Sequence, residues 1–184
     1  MNYAIYKNVR NASWQCLIDC NVTALPIKPV QLAALYGIKC KAATKEQLRG
    51  AAGEIVAFAG KVIISFREDD PPQRQRFTIM HELGHYLLGH LGTKPMSRSE
   101  SDCRPEEEQA ADKFAIDMLA PACVLWALDL HTPDKIARAC NISMQAAEIR
   151  ARRMDQLYRR NMFLTHPLER IVFQQFRQFI ESQK

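Results

Sequence analysis

Apolar residues recur along the chain in two rhythms, one helical and one alternating. Phe77, Met80, Gly84, Leu87, Leu88 and Leu91 follow the helical rhythm in RFTIMHELGHYLLGHL, which predicts one amphipathic helix from Arg76 to Leu91 with that stripe toward the core. Ala111, Phe114, Ala115, Met118 and Leu119 do the same in EEEQAADKFAIDMLAP, Glu106 to Pro121. Upstream, residues 14–20 read as a short helix ending near Asn21, and Val30 to Tyr36 as another stopped by Gly37. An extended segment begins over Gly37 to Cys40. Glu54 to Phe58 and Lys61 to Phe66 alternate as the arms of a hairpin turning at Ala59-Gly60. Asp69-Asp70-Pro71-Pro72 then breaks the strand and offers a cap for the long helix, which starts around Gln73. Near the end, Pro167 to Ile180 carries Leu168, Ile171, Val172, Phe176, Phe179 and Ile180 as the core face of a closing helix. Helix, small sheet, then helices predict an α+β fold.

The long helix carries His81-Glu82-Leu83-Gly84-His85, the HExxH pattern. Residues four apart lie one turn apart with Cβ atoms roughly 5–6 Å from each other, so both imidazoles can share one tetrahedral Zn²⁺. Glu82 lies beside them, where it can meet a metal-bound water. Gly84 removes a side chain under the ligands and lets another element approach closely. Five residues of this kind arise by chance in roughly one such chain in a hundred, so a third ligand is needed. The run from Glu106 supplies Glu108-x-x-x-Asp112. Glu108 serves as third ligand, and Asp112, one turn on, accepts a hydrogen bond from a ligating imidazole and fixes its tautomer. Glu106 and Glu107 read only as carboxylates at a helix N-terminus. His90 is five residues, about 140° net, past His85, so a continuous helix would point it away from the metal edge, as a cation near the helix C-terminus. The metzincin extension fails, since Leu88 and Leu91 stand where it needs Gly and His.

RQRFTIMHELGHYLLGH followed by E-x-x-A-D-x-F-A-x-x-x-L-A-P, Glu108 to Pro121, resembles the ImmA/IrrE family of zinc metallopeptidases. The likeness extends upstream over Leu25 to Cys40 and downstream into a helical segment, and so covers most of the chain. It implies a zincin-like domain and a cytosolic bacterial, phage or mobile-element endopeptidase that cuts a helix-turn-helix repressor. Asp112 departs from the Asn that many similar sequences carry, but either side chain accepts a hydrogen bond from imidazole.

Charge divides the chain unevenly. Residues 135–184 hold ten Lys/Arg against four Asp/Glu, whereas residues 1–134 hold fifteen against sixteen, so the formal +5 comes entirely from the tail. This suggests a metallopeptidase domain over 1–130 and a basic helical segment over 131–184. Within that segment, Ile136 to Met154 has the form of a helix-turn-helix, with Asn141 at the turn and Ile142-Ser143 opening the second helix. Arg150, Arg152 and Arg153 would then stand near phosphates if the helix met DNA, while Gln145 is the one obvious base-reading side chain. A helical unit that packs on the protease or holds a protein partner is the stronger expectation. The six cysteines show no CxxC pair, and most read as small buried hydrophobes; Cys103 lies in a loop-like stretch a few residues before Glu108, where a thiolate could transiently reach the zinc, although a free thiol with no role is the stronger expectation. No stretch approaches the roughly 18 apolar residues that span a bilayer, nor an export signal, so a cytoplasmic location is expected.

The chemistry expected is peptide hydrolysis, with Zn²⁺ on His81, His85 and Glu108, one open position for water, and Glu82 as general base. An oxyanion donor among Tyr86, His131 and Tyr158 stays open. The rival is a non-catalytic DNA- or repressor-binding module that keeps zinc for structure. Glu82 speaks against it, because a closed structural site has no use for a base. The oligomeric state is not legible.

Overall fold

The computed structural model describes residues 2–91 and 105–183. In chain order its elements are α1 (Tyr3–Asp19), α2 (Pro29–Leu35), β1 (Lys39–Ala43), β2 (Gly53–Phe58), β3 (Lys61–Arg67), α3 (Pro72–Leu87), α4 (Glu106–Leu119), α5 (Ala122–Ala127), α6 (Pro133–Cys140), α7 (Met144–Arg159), α8 (Pro167–Gln175) and α9 (Arg177–Ser182). The fold is α+β with one small sheet. By packing, the chain divides into two compact units, residues 1–12 with 29–115 and residues 13–28 with 116–184, the division falling inside α1 and α4. A line drawn by charge near residue 130 and this packing division answer different questions.

In the first unit β3 is the middle strand, parallel to β1 and antiparallel to β2, giving the order β1-β3-β2. The hairpin turns where its residues require: Ala59 and Gly60 both have positive φ, 49° and 74°, as a two-residue turn matched to strand twist demands. Ile64 at the centre of β3 is fully buried, whereas the cross-strand pair Val56 and Ile63 and the terminal Phe58 lie on the exposed face. β2 leaves one edge without a strand partner among the described residues.

Helix α3 packs on β2, β3 and α2. Its N-cap is Pro71, with no capping side chain; Asp70 instead pairs with Arg74 at 3.2 Å. Contact on several sides moves its buried stripe from the one expected. Ile79, Met80 and Leu83 are buried together with Gly84, while Phe77, Leu87, Leu88 and Leu91 are half-exposed. The helix also ends at Leu87 rather than Leu91. Gly89 has φ +77°, and the N–H groups of Gly89 and His90 donate to the carbonyls of Tyr86 (3.2 Å) and His85 (2.9 Å), closing a Schellman end.

Helix α4 buries Ala110, Ala111, Phe114 and Ala115 in this unit, the face its periodicity predicts. Its start is tied to α1, which begins at Tyr3 and is much longer than residues 14–20. The Asn2 N–H donates to Glu106 Oε1 at 3.1 Å, and Lys113 Nζ lies 4.1 Å from the Tyr6 ring centroid. Glu106 is therefore a tether as well as a helix-terminal charge.

In the second unit α6 and α7 pack on each other through a turn in which Asn141 is left-handed, φ 51° and ψ 54°, and the Ser143 side chain accepts from Ala146 N–H. Arg150 does not stand near solvent as expected. It is 4% exposed and donates to Asp117 Oδ1 at 2.8 Å, because α7 turns that face inward. Arg152 is exposed, and Arg153 bonds Gln156. The closing helix is two, parted at Phe176; Val172, Phe176 and Ile180 are buried, but Ile171 is 48% exposed and outside the core. Gln175 donates to the carbonyls of Leu17 and Val22, at 2.8 and 2.6 Å, tying α8 to the end of α1. Cys16, Cys123 and Cys140 are buried, Cys20 and Cys40 half-buried, and none of the five is in a disulfide. Burial pushes the Cys123 thiol up to about 12. Cys103 lies outside the described residues. No helix among them is long and apolar enough to cross a membrane.

Candidate metal centre

His81, Glu82 and His85 come from the middle of α3, and Glu108 and Asp112 from the first turns of α4. The two helices approach closely because position 84 is glycine: a Cβ there would lie 3.0 Å from Cδ1 of Phe114. The result brings together donor atoms of His81, His85 and Glu108, all within 4.8 Å of one another. His81 Nε2 and His85 Nε2 face each other at 3.0 Å; Glu108 Oε2 is 3.5 Å from the former and Oε1 3.3 Å from the latter. Donors at about 2.0–2.2 Å on a tetrahedral ion are roughly 3.3–3.6 Å apart, so the three are already spaced nearly as one zinc requires. Two imidazole nitrogens turned toward each other at this distance need a proton or a metal ion between them, and the Glu108 carboxylate beside both favours either. The set thus fits a metal ion in chemistry and in spacing.

Asp112 is where the spacing predicts it. With its proton on Nδ1, His81 donates to Asp112 Oδ1 at 2.9 Å, which leaves Nε2 for ligation. The electrostatics agree. Burial works against a charged His81, but hydrogen bonds to Asp112 and Glu108, with the nearby carboxylate charges, outweigh it and push its pKa up to about 9. The same contacts with His81 and His85 hold Glu108 well below the usual carboxylate range. The cluster attracts positive charge.

Glu82 is not among the converging donors. It is 8% exposed, and burial raises its pKa above the ordinary carboxylate value, although the two imidazoles pull the other way. A carboxylate strengthened as a base, next to the donors but not one of them, has the properties of a proton acceptor. Glu108 is 39% exposed on its side chain, so solvent reaches the group.

The family model described as the peptidase M78, IrrE N-terminal-like domain matches residues 42–152. The chain belongs to that family. The resemblance to ImmA/IrrE metallopeptidases drawn from HELGH and the Glu108 run is thereby shown, and the match spans α3 and α4 entire. No curated protein matches the chain.

Two residues of this M78 centre escaped the sequence reading. Gly53 opens β2 where a Cβ would stand 2.3 Å from Thr78 Cγ2 and 3.4 Å from Glu82 Oε1, so the strand can lie against the HExxH helix only as glycine. A glycine opening an alternating run was the available signal. The second is His90, whose Nδ1 lies 3.0 Å from His85 Nδ1. The expectation that it points away is overturned, because the helix stops before it and Gly89 redirects the chain. Nor is it disposed to be a cation: burial, with His85 beside it, lowers its pKa below the ordinary imidazole value. His131 and Tyr158 belong to the second unit, where their rings pack at 4.5 Å.

Proposed function

We propose that the chain is a zinc-dependent endopeptidase whose substrate is a cytosolic protein, a helix-turn-helix repressor of a phage or mobile element. The observation that carries this is the buried, base-strengthened Glu82 beside three converging donors. His81, His85 and Glu108 would hold Zn²⁺, and Asp112 would keep His81 in the ligating tautomer. Bound zinc supplies Lewis acidity, polarising the scissile carbonyl and lowering the pKa of water toward roughly 7. Glu82 accepts the proton as water attacks and passes it to the leaving amine. Gly53 brings β2, whose outer edge has no strand partner among the described residues, against Glu82, which supports an extended peptide adding to that edge as a further strand.

The repressor as substrate follows from the family's character, and a cytoplasmic location goes with it. The non-catalytic alternative binds the same partner without cutting. A repressor co-expressed with wild type should be cleaved at one bond, seen by mass spectrometry of the fragments, and a chelator should stop cleavage. Glu82→Gln keeps shape and donors, so zinc content should stay while the rate falls by about 10²–10⁴. Equal survival of the repressor with both proteins, each binding it, decides for the non-catalytic reading.

A further inference from the structure

We propose that His90 is the positioning residue of His85, holding its imidazole in the tautomer and ring orientation that leave Nε2 free to ligate. The proposal rests on the metal reading of the centre and adds a residue to it. His85 Nε2 is 3.0 Å from His81 Nε2 and 3.3 Å from Glu108 Oε1, so the ligating atom is Nε2. Its one proton then belongs on Nδ1, and a largely buried N–H needs an acceptor. Nδ1 of His90 is that acceptor at 3.0 Å, with the two rings edge to face, centroids 5.1 Å apart and planes at 67°. A lone pair lies in the plane of its own ring, so this crossing lets the His85 N–H address the edge of His90.

The backbone explains how His90 reaches this place. A helix continued through residue 90 would carry it about 140° around the axis from His85. Gly89, at φ +77°, ends the helix instead, and the His90 N–H donates to the His85 carbonyl at 2.9 Å. Main chain and side chain of His90 thus both engage His85. Each ligating imidazole then has its own acceptor, but of different kinds: a carboxylate, Asp112, for His81 and a neutral imidazole for His85. A neutral acceptor makes its ligand less basic than an anionic one, so His90 contributes less to metal affinity than Asp112 does.

The test uses the full chain with zinc affinity measured by chelator competition, and with His85 tautomers read from ¹⁵N–¹H long-range NMR in metal-free protein. His90→Ala should weaken zinc binding about tenfold, the low end of the 10–100-fold range for such partners. His90→Gln, whose amide oxygen can accept, should restore part of the loss. Melting of the metal-free variants should match wild type, since the main-chain bond to His85 survives both substitutions. In wild type His85 should carry its proton on Nδ1, and in His90→Ala it should shift toward Nε2. Unchanged zinc affinity in His90→Ala overturns the proposal, and so does total loss of zinc, which would make His90 a ligand. Should wild type take up no zinc, the metal reading fails on its own account and the tautomer decides this one: an Nε2 proton on wild-type His85 overturns it.

Discussion

Each unit encloses a charged cluster, and the two clusters resolve their charge in opposite ways. In the second unit the cation is part of the chain: Arg150, 4% exposed, meets Asp117 at 2.8 Å. In the first, Glu82, Glu108 and Asp112 gather round two imidazoles whose Nε2 atoms converge with the Glu108 carboxylate. A carboxylate that meets a guanidinium is closed by that pair, whereas imidazole nitrogens and a carboxylate that converge on one point are arranged to take a cation from solution. Burial of charge alone does not distinguish structure from site; the convergence of donor atoms within 4.8 Å of one another does.

The strongest way to break this contrast is to remove an acceptor from the first cluster. Glu108→Ala should lose most of the zinc, expected at about one per wild-type chain, with the metal-free fold intact; full occupancy by elemental analysis would refute Glu108 as a ligand and turn attention to Glu107. Removing the built-in cation should act on stability and not on metal. Arg150→Ala takes from half-buried Asp117 the guanidinium it meets and should cost about 3 kcal/mol, the low end for a broken buried pair, in denaturant melts, with zinc content of the folded protein unchanged. Replacing both members by apolar residues of similar volume should recover most of that loss, since Arg150 Nε has no hydrogen-bond partner among the described residues. Failure to recover would show that the pair is more than self-compensating. Asp112→Ala should weaken zinc by about 10–100-fold without abolishing it. Intact affinity there would leave the His81–Asp112 contact without a role in ligation.

The smallest effect sharpens the contrast through pH. In chelator-treated protein His81 has a folded pKa of about 9 against an ordinary 6.5, so its stabilisation is full below 6.5 and lost as pH rises through 9. Glu108 is displaced downward from 4.5, so its share is full above 4.5 and lost as pH falls. Metal-free stability should therefore peak between those limits and decline toward pH 9. Zinc takes the place of the proton and should remove the alkaline decline. A melting temperature flat from pH 6.5 to 9 without metal would contradict the environment assigned to His81.

What could be read from the sequence was whatever a local repeat encodes. The HExxH pair, Glu108 with Asp112 one turn later, the glycine beneath the ligands and the Ala59-Gly60 turn all depend on residues within a few positions of each other. His90 was misplaced because helical phase was extended past Gly89, where the chain had already left the helix. Arg150 was misjudged because its partner, Asp117, is thirty-three residues away, and a basic side chain gives no local sign of being buried. The parallel pairing of β1 with β3, and Gly53 against Thr78, are likewise contacts between distant segments that no periodicity announces.

Gly84 also bears on the order in which such a chain can change. A methyl group there would meet Phe114 at 3.0 Å from Cδ1 and 3.3 Å from Cβ and Cγ, and Phe114 lies on the helix that presents Glu108. Alanine arriving first would push that helix and disturb its carboxylate. A smaller residue arriving first at 114 would open room for the alanine at the cost of a cavity. Positions 84 and 114 are thus bound to a common history, in which one sequence of two substitutions is passable and the reverse sequence runs through a damaged centre.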